Sequence, residues 1–283
     1  MEWITCLNQA IRYIEEHLTE EIDYECLGKI ACCSAYHFQR MFAYMAEVPL
    51  SEYIRRRRMS LAAADLKCTD EKIVELALKY GYQSPTAFNR AFQSVHGVTP
   101  SAARKAGVPV KSYPPISFKL MIKGVEEMNY RLEQKEAFRI VGVRQRLKEK
   151  LEENFEIVPK MWETVAKDGT VPSLTALMDR EPKGVLGISF CQEPENWNYM
   201  IAVPSGQKPI GGMEEAEIPA RTWAIFCGEG ECPKAIQELE RRIYTEWLPS
   251  SGYEYDRGPD VELYASPNPQ QAKFEVWVPV KKK

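Results

Sequence analysis

Ser34-Ala35-Tyr36-His37-Phe38-Gln39-Arg40-Met41-Phe42 returns 50 positions later as Ser84-Pro85-Thr86-Ala87-Phe88-Asn89-Arg90-Ala91-Phe92. Self-similarity at a fixed spacing marks a duplicated structural unit. Each copy opens on a serine, whose hydroxyl can accept from a first-turn N–H and start a helix. Phe38, Met41, Phe42 and Met45 fall at i, i+3, i+4 and i+7, as do Phe88, Ala91, Phe92 and Val95, so each helix has one buried stripe. A shorter helical stretch precedes each copy across a tight turn, at 23–31 and 73–80. The unit is therefore helix, turn, helix, twice over. Leu50, Tyr53, Ile54, Leu61 and Leu66 mark an amphipathic helix between the copies. About 16 residues at 1.5 Å rise set the two units about 24 Å apart.

Outward from this repeat, helical spacing persists from Ile4 to about Arg104, with further helices predicted over 4–18 and 100–105. Pro109, Pro114 and Pro115 then break the pattern, and strand alternation follows. At roughly 150 residues per domain, 283 residues fit two. The expected domains are an all-α double helix-turn-helix over 1–107 and an α+β domain over 113–283. In the second, strands are predicted at 117–122, 129–134, 138–144, 171–178, 185–190, 198–203, 214–218, 221–228, 261–265 and 274–280, with helices at 153–167 and 233–247. The order of elements partly recurs, suggesting two related halves.

Composition excludes several classes. With 45% apolar and 27% charged residues the chain is neither disordered nor fibrous, and no apolar run reaches the ~18 residues of a membrane span. Eight cysteines without a CxxC pair suit reduced thiols, and a cytoplasmic location is expected. The net charge of −3 hides local contrast: residues 79–107 hold Lys79, Arg90, Arg104 and Lys105 and no acid, and Arg55 to Arg58 form a second basic run.

With the apolar stripes assigned to the core, Tyr36, His37, Gln39 and Arg40 are left on the outer face of one copy, and Thr86, Asn89 and Arg90 on that of the other. Arg can bridge guanine O6 and N7, and Gln or Asn adenine N6 and N7, so a matched pair of such faces points to double-stranded DNA. Residues 27–104, with the arginine-rich joining helix and Gly97-Val98-Thr99-Pro100, resemble the AraC/XylS DNA-binding domain. The resemblance implies a transcription regulator, an activator working with RNA polymerase, whose two recognition helices enter adjacent major grooves. It carries base contacts onto Tyr36, Gln39, Arg40, Thr86, Asn89 and Arg90; Pro85 departs from the pattern. Two reading heads in one chain remove the need for a dimer, so a monomer is expected.

Residues 113–280 resemble the GyrI-like effector-binding domain through Tyr113-Pro114-Pro115, 124–130, Trp162, Pro219-Ala220-Arg221-Thr222-Trp223, 259–264 and 274–279. That family's fold implies a cleft between pseudo-symmetric halves that takes lipophilic, often cationic molecules. In the final hairpin, alternation alone assigns Glu262, Tyr264, Glu275 and Trp277 to one face. The expected effector site has Glu275 as main counter-charge and Glu262 as second, with Tyr199, Trp162, Tyr264 and Trp277 as walls. Enzyme signatures are lacking: Gly187-Ile188-Ser189-Phe190-Cys191 fails the nucleophile-elbow pattern, all three histidines lie in the helical part, and no phosphate-binding glycine loop occurs. No metal or cofactor is expected. A GyrI-like hydrolase or drug-sequestering protein is the alternative that the resemblance leaves.

Overall fold

The computed structural model describes residues 2–119, 127–148, 151–191, 193, 196–265 and 271–283. The N-terminal region folds into α1 (Glu2–Glu16), α2 (Tyr24–Ile30), α3 (Ala35–Ala46), α4 (Leu50–Cys68), α5 (Ile73–Lys79), α6 (Pro85–His96) and α7 (Pro100–Ala103). The paired serines act as expected: Ser34 accepts from the His37 N–H and Ser84 from the Ala87 N–H. Within the first helix-turn-helix, Gly28 lets α2 and α3 approach, because a Cβ there would lie 2.6 Å from the Ala35 nitrogen.

The two copies of the repeat are buried differently. Phe88, Phe92 and Val95 of α6 pack with Met59, Leu66 and Leu76 in a core confined to the helical region. Phe38 and Phe42 of α3 belong to a core that runs on into Phe226, Tyr244, Phe274 and Val276 of the second domain. The first unit is thereby welded to the sheet, while the second stands apart.

That sheet contains β1 (Tyr130–Lys135), β2 (Phe138–Arg146), β3 (Val185–Phe190), β4 (Asn198–Pro204), β5 (Glu214–Ile218), β6 (Arg221–Gly230), β7 (Tyr253–Tyr255), β8 (Asp260–Tyr264) and β9 (Ala272–Lys282). All pairings are antiparallel, in the order β1-β6-β9-β8-β3-β4-β2-β5, with β7 beside β9. Exchanging β1 with β5, β2 with β6, β3 with β8 and β4 with β9 reverses this order onto itself, which is the pseudo-twofold of two related halves. The axis passes between β3 and β8, where Gly187 faces Glu262. One half carries α8 (Leu151–Lys167) and α9 (Thr170–Leu177); the other carries α10 (Lys234–Arg242), a π-helical turn (Ile243–Trp247) and α11 (Leu248–Ser250).

Three expectations change. The segment expected as a strand at 171–178 is α9, because its buried Leu174 and Leu177 are spaced by three, a helical interval. Residues 117–119 pair with no strand among the described residues, Phe118 instead exchanging backbone bonds with the Asn8 side chain; 120–122, and 124–126 of the family motif, lie outside the described residues. The final hairpin pairs Glu262 with Val276 and Leu263 with Glu275, so Glu262 and Tyr264 share a face with Val276 and Phe274. Glu275 and Trp277 are on the opposite face. A one-residue shift in register exchanges the faces of a strand, and alternation alone does not fix it.

Candidate functional site

A cavity of about 680 Å³ lies between the sheet and the helices α8 and α10. β8 contributes Glu262 and Tyr264, β4 Tyr199, α8 Trp162 and α10 Glu240. These side chains form a connected network. The Trp162 indole donates to the Tyr199 hydroxyl at 2.9 Å, which donates to Glu262 Oε2 at 3.2 Å; the Tyr264 hydroxyl donates to the same oxygen at 2.9 Å. Trp162 meets Tyr264 edge to face at 5.0 Å. Gly187 makes the room: a Cβ there would lie 2.2 Å from the Tyr199 hydroxyl and 3.0 Å from Glu262 Oε2.

The fourth wall comes from the other domain. Helix α3 sits against α8 and α10 and lends the cavity Tyr36, Arg40 and Tyr44. The Arg40 guanidinium bonds Glu240 through Nη2 and lies 3.6 Å from Glu262 and 3.5 Å from Asp260. Tyr44 donates to the other oxygen of Glu240 at 2.5 Å. His37 stacks on Tyr255 at 3.7 Å and its Nδ1 is 3.6 Å from Asp260. Three carboxylates thus surround one guanidinium. Burial pushes the Glu262 carboxyl up to about 7, with Glu240 adding to the effect and Arg40 and the two phenols opposing it. Arg40 is held charged, well above its ordinary value, by Glu240 against its own burial.

Tyr199, Trp162, Glu262 and Tyr264 are brought together as expected. Glu275 and Trp277 are not with them. Glu275 pairs with Arg131 at 2.8 Å and accepts from the Trp277 indole at 2.7 Å, beside a separate groove. Trp277 is buried against Trp223 and Phe138. Glu240 was missed, although Ile236, Glu240, Ile243, Tyr244 and Trp247 form one helical stripe with a lone acid in it. A carboxylate amid an apolar stripe was the available signal.

Of the base-reading candidates, Thr86 and Arg90 are exposed on α6 and Asn89 is half-buried. Tyr36, His37, Gln39 and Arg40 are each 7% exposed or less, so their expected outer face is an interdomain contact instead. The joining-helix arginines all have partners within the protein: half-exposed Arg55 and Arg56 pair with Glu52 of their own helix, buried Arg57 with Glu15 and the Tyr113 carbonyl, and Arg58 with the Leu18 and Glu20 carbonyls. Among the described residues no three potential metal ligands cluster, and no helix is long and apolar enough to cross a membrane.

Comparison with known proteins matches two separate stretches of the chain to two families. A family described as "Integron-associated effector binding protein" matches residues 131–280, and a "Helix-turn-helix domain" family matches 27–106. The uncharacterized HTH-type transcriptional regulator YbfP of Bacillus subtilis is 36% identical over 104 residues, 37% of this chain and 35% of its own length. The regulatory protein SoxS of Salmonella typhimurium is 36% identical over 98 residues, 35% of this chain and 92% of its own. The transcriptional activator AarP of Providencia stuartii is 33% identical over 98 residues, 35% of this chain and 73% of its own. This chain thus spans about a third of the length of YbfP, and its similarity to all three covers little more than a third of itself.

Proposed function

The chain belongs to the AraC-type helix-turn-helix transcription regulators and carries an effector-binding domain of the integron-associated family, and from that premise we propose that it activates transcription in response to a lipophilic cation bound in the cavity of its second domain. The observation that carries the ligand class is the composition of that cavity: Glu240 and Glu262 set among Trp162, Tyr199 and Tyr264 in a space of about 680 Å³. Aromatic faces attract cations through their quadrupole, and carboxylates removed from water bind them by Coulomb attraction in a medium of reduced dielectric. A volume of this size suits a drug-sized molecule.

AarP, which matches the helical domain, is a transcriptional activator, and an activator of this kind acts through contact with RNA polymerase. The second domain then supplies the signal and α3 and α6 the operator contacts, one chain per operator. The test is calorimetry on the full chain with benzyltributylammonium and its neutral carbon isostere. Tight binding of the cation and at least tenfold weaker binding of the isostere is expected, with the preference lost in Glu262→Gln. Equal affinity for the two would refute the cation reading.

A further inference from the structure

We propose that the effector site is completed by the DNA-reading helix α3, and that a bound cation takes Glu240 and Glu262 from Arg40 and so frees α3 for DNA. The proposal rests on the cation reading above and extends it to regulation.

The same four side chains have two incompatible placements. Tyr36, His37, Gln39 and Arg40 carry the hydrogen-bonding groups that α3 would offer to base edges, and here all four are buried, Tyr36 and Arg40 in the wall of the cavity between α8 and α10 and His37 against Tyr255 and Tyr244. A recognition helix seated in that cleft cannot lie in a major groove at the same time. Helix α6 has no such obstruction, since Thr86 and Arg90 remain exposed and its core is separate from the sheet. The docked protein therefore presents one reading helix, and a protein with α3 released presents two.

Charge provides the coupling. Arg40 is the cation already resident in the acidic cluster, bonded to Glu240 and within 3.6 Å of Glu262. Both carboxylates line the cavity, so an incoming cation meets the same acids and repels the guanidinium in a site with little water to screen it. The docked helix is also imperfectly satisfied. Neither ring nitrogen of the buried His37 has a hydrogen-bond partner among the described residues, and release would let water or DNA supply one. A ligand that favours the released state must, by linkage, be favoured by the operator in return.

The experiment uses the full chain, a duplex obtained by in vitro selection, and benzyltributylammonium as probe, read by hydroxyl-radical footprinting and fluorescence anisotropy. Without probe, protection covers one groove face, that of α6. With probe it extends to the adjacent groove and affinity rises by about tenfold. Asp260→Asn removes one of the carboxylates that hold Arg40 and lies off the cavity lining, so it extends the footprint without probe. Glu240→Gln does the same and serves if the first variant misfolds by circular dichroism. A probe that binds by calorimetry yet leaves footprint and affinity unchanged, or lowers affinity, overturns the release of α3. A probe that gives no binding heat sinks the cation reading, and the variant footprints then decide the fate of the helix alone: protection still confined to one groove in a folded variant overturns it.

Discussion

Replacing Glu262 by Gln should remove a pH dependence of stability that the wild type carries. The Glu262 carboxyl rises from 4.5 to about 7 in the folded protein, chiefly through burial. The native state therefore holds its proton over a range where the unfolded chain has lost it. The stabilisation is full below about pH 4.5 and disappears as pH rises through about 7. A difference of about 2.5 units corresponds to about 3.4 kcal/mol at 1.36 kcal/mol per unit. The side chain keeps 17% of its exposure at the cavity wall, and water there lowers the penalty, so about 2 kcal/mol is expected. The groups facing Glu262 are Arg40 from α3, Glu240 from α10, Tyr199 from β4, Tyr264 from its own strand and Cys232 ahead of α10. Arg40, the phenols and the thiol are all shifted upward and stay protonated across this range. Urea unfolding at intervals from pH 5 to 8.5 measures the effect: wild-type stability should fall relative to Glu262→Gln by about 2 kcal/mol. Parallel curves for the two proteins would refute the burial argument. Cation binding should strengthen over the same interval and release a proton, since only the ionised carboxylate gains from the ligand.

Arg90→Ala should weaken operator binding by about 1–3 kcal/mol and relax the preference at one base pair, measured by competition between selected and point-changed duplexes. Equal weakening on every sequence would reduce Arg90 to a phosphate contact. Arg57→Ala should cost about 2–4 kcal/mol of stability by urea unfolding, because it leaves Glu15 and the Tyr113 carbonyl without their guanidinium; a cost under about 0.5 kcal/mol would place Arg57 among ordinary surface charges. Arg55→Ala and Arg56→Ala, whose side chains are held by Glu52, should leave the salt slope of DNA binding unchanged, and a slope flattened by about one unit in either would return that arginine to the phosphates. Gly28→Ala should cost about 1–3 kcal/mol, since the new methyl meets the backbone of Ser34 and Ala35 rather than a side chain able to move; a neutral outcome would show that α2 and α3 can separate freely.

The helical domain could be read from the chain alone because its signals are local. Serine caps at Ser34 and Ser84, the stripes of Phe38 and Phe88, and the repeat itself act over a few residues and do not depend on what packs outside. Trp162 and Tyr264 of the aromatic lining and the acid at Glu262 were likewise legible, from the family motifs and strand alternation. Three matters were settled only by tertiary contacts. The register of β8 against β9 separated Glu262 from Glu275, because period-two alternation permits two pairings and packing selects one. Glu240 became the second cavity acid because the pseudo-twofold brings α10 opposite α8, far apart in sequence. The side chains of α3 reversed their expected setting, from an exposed reading face to a buried wall. Its pattern of Tyr, His, Gln and Arg suits bases and carboxylates equally well, since both accept hydrogen bonds from the same donors, and only the folded chain shows which acceptors they meet here.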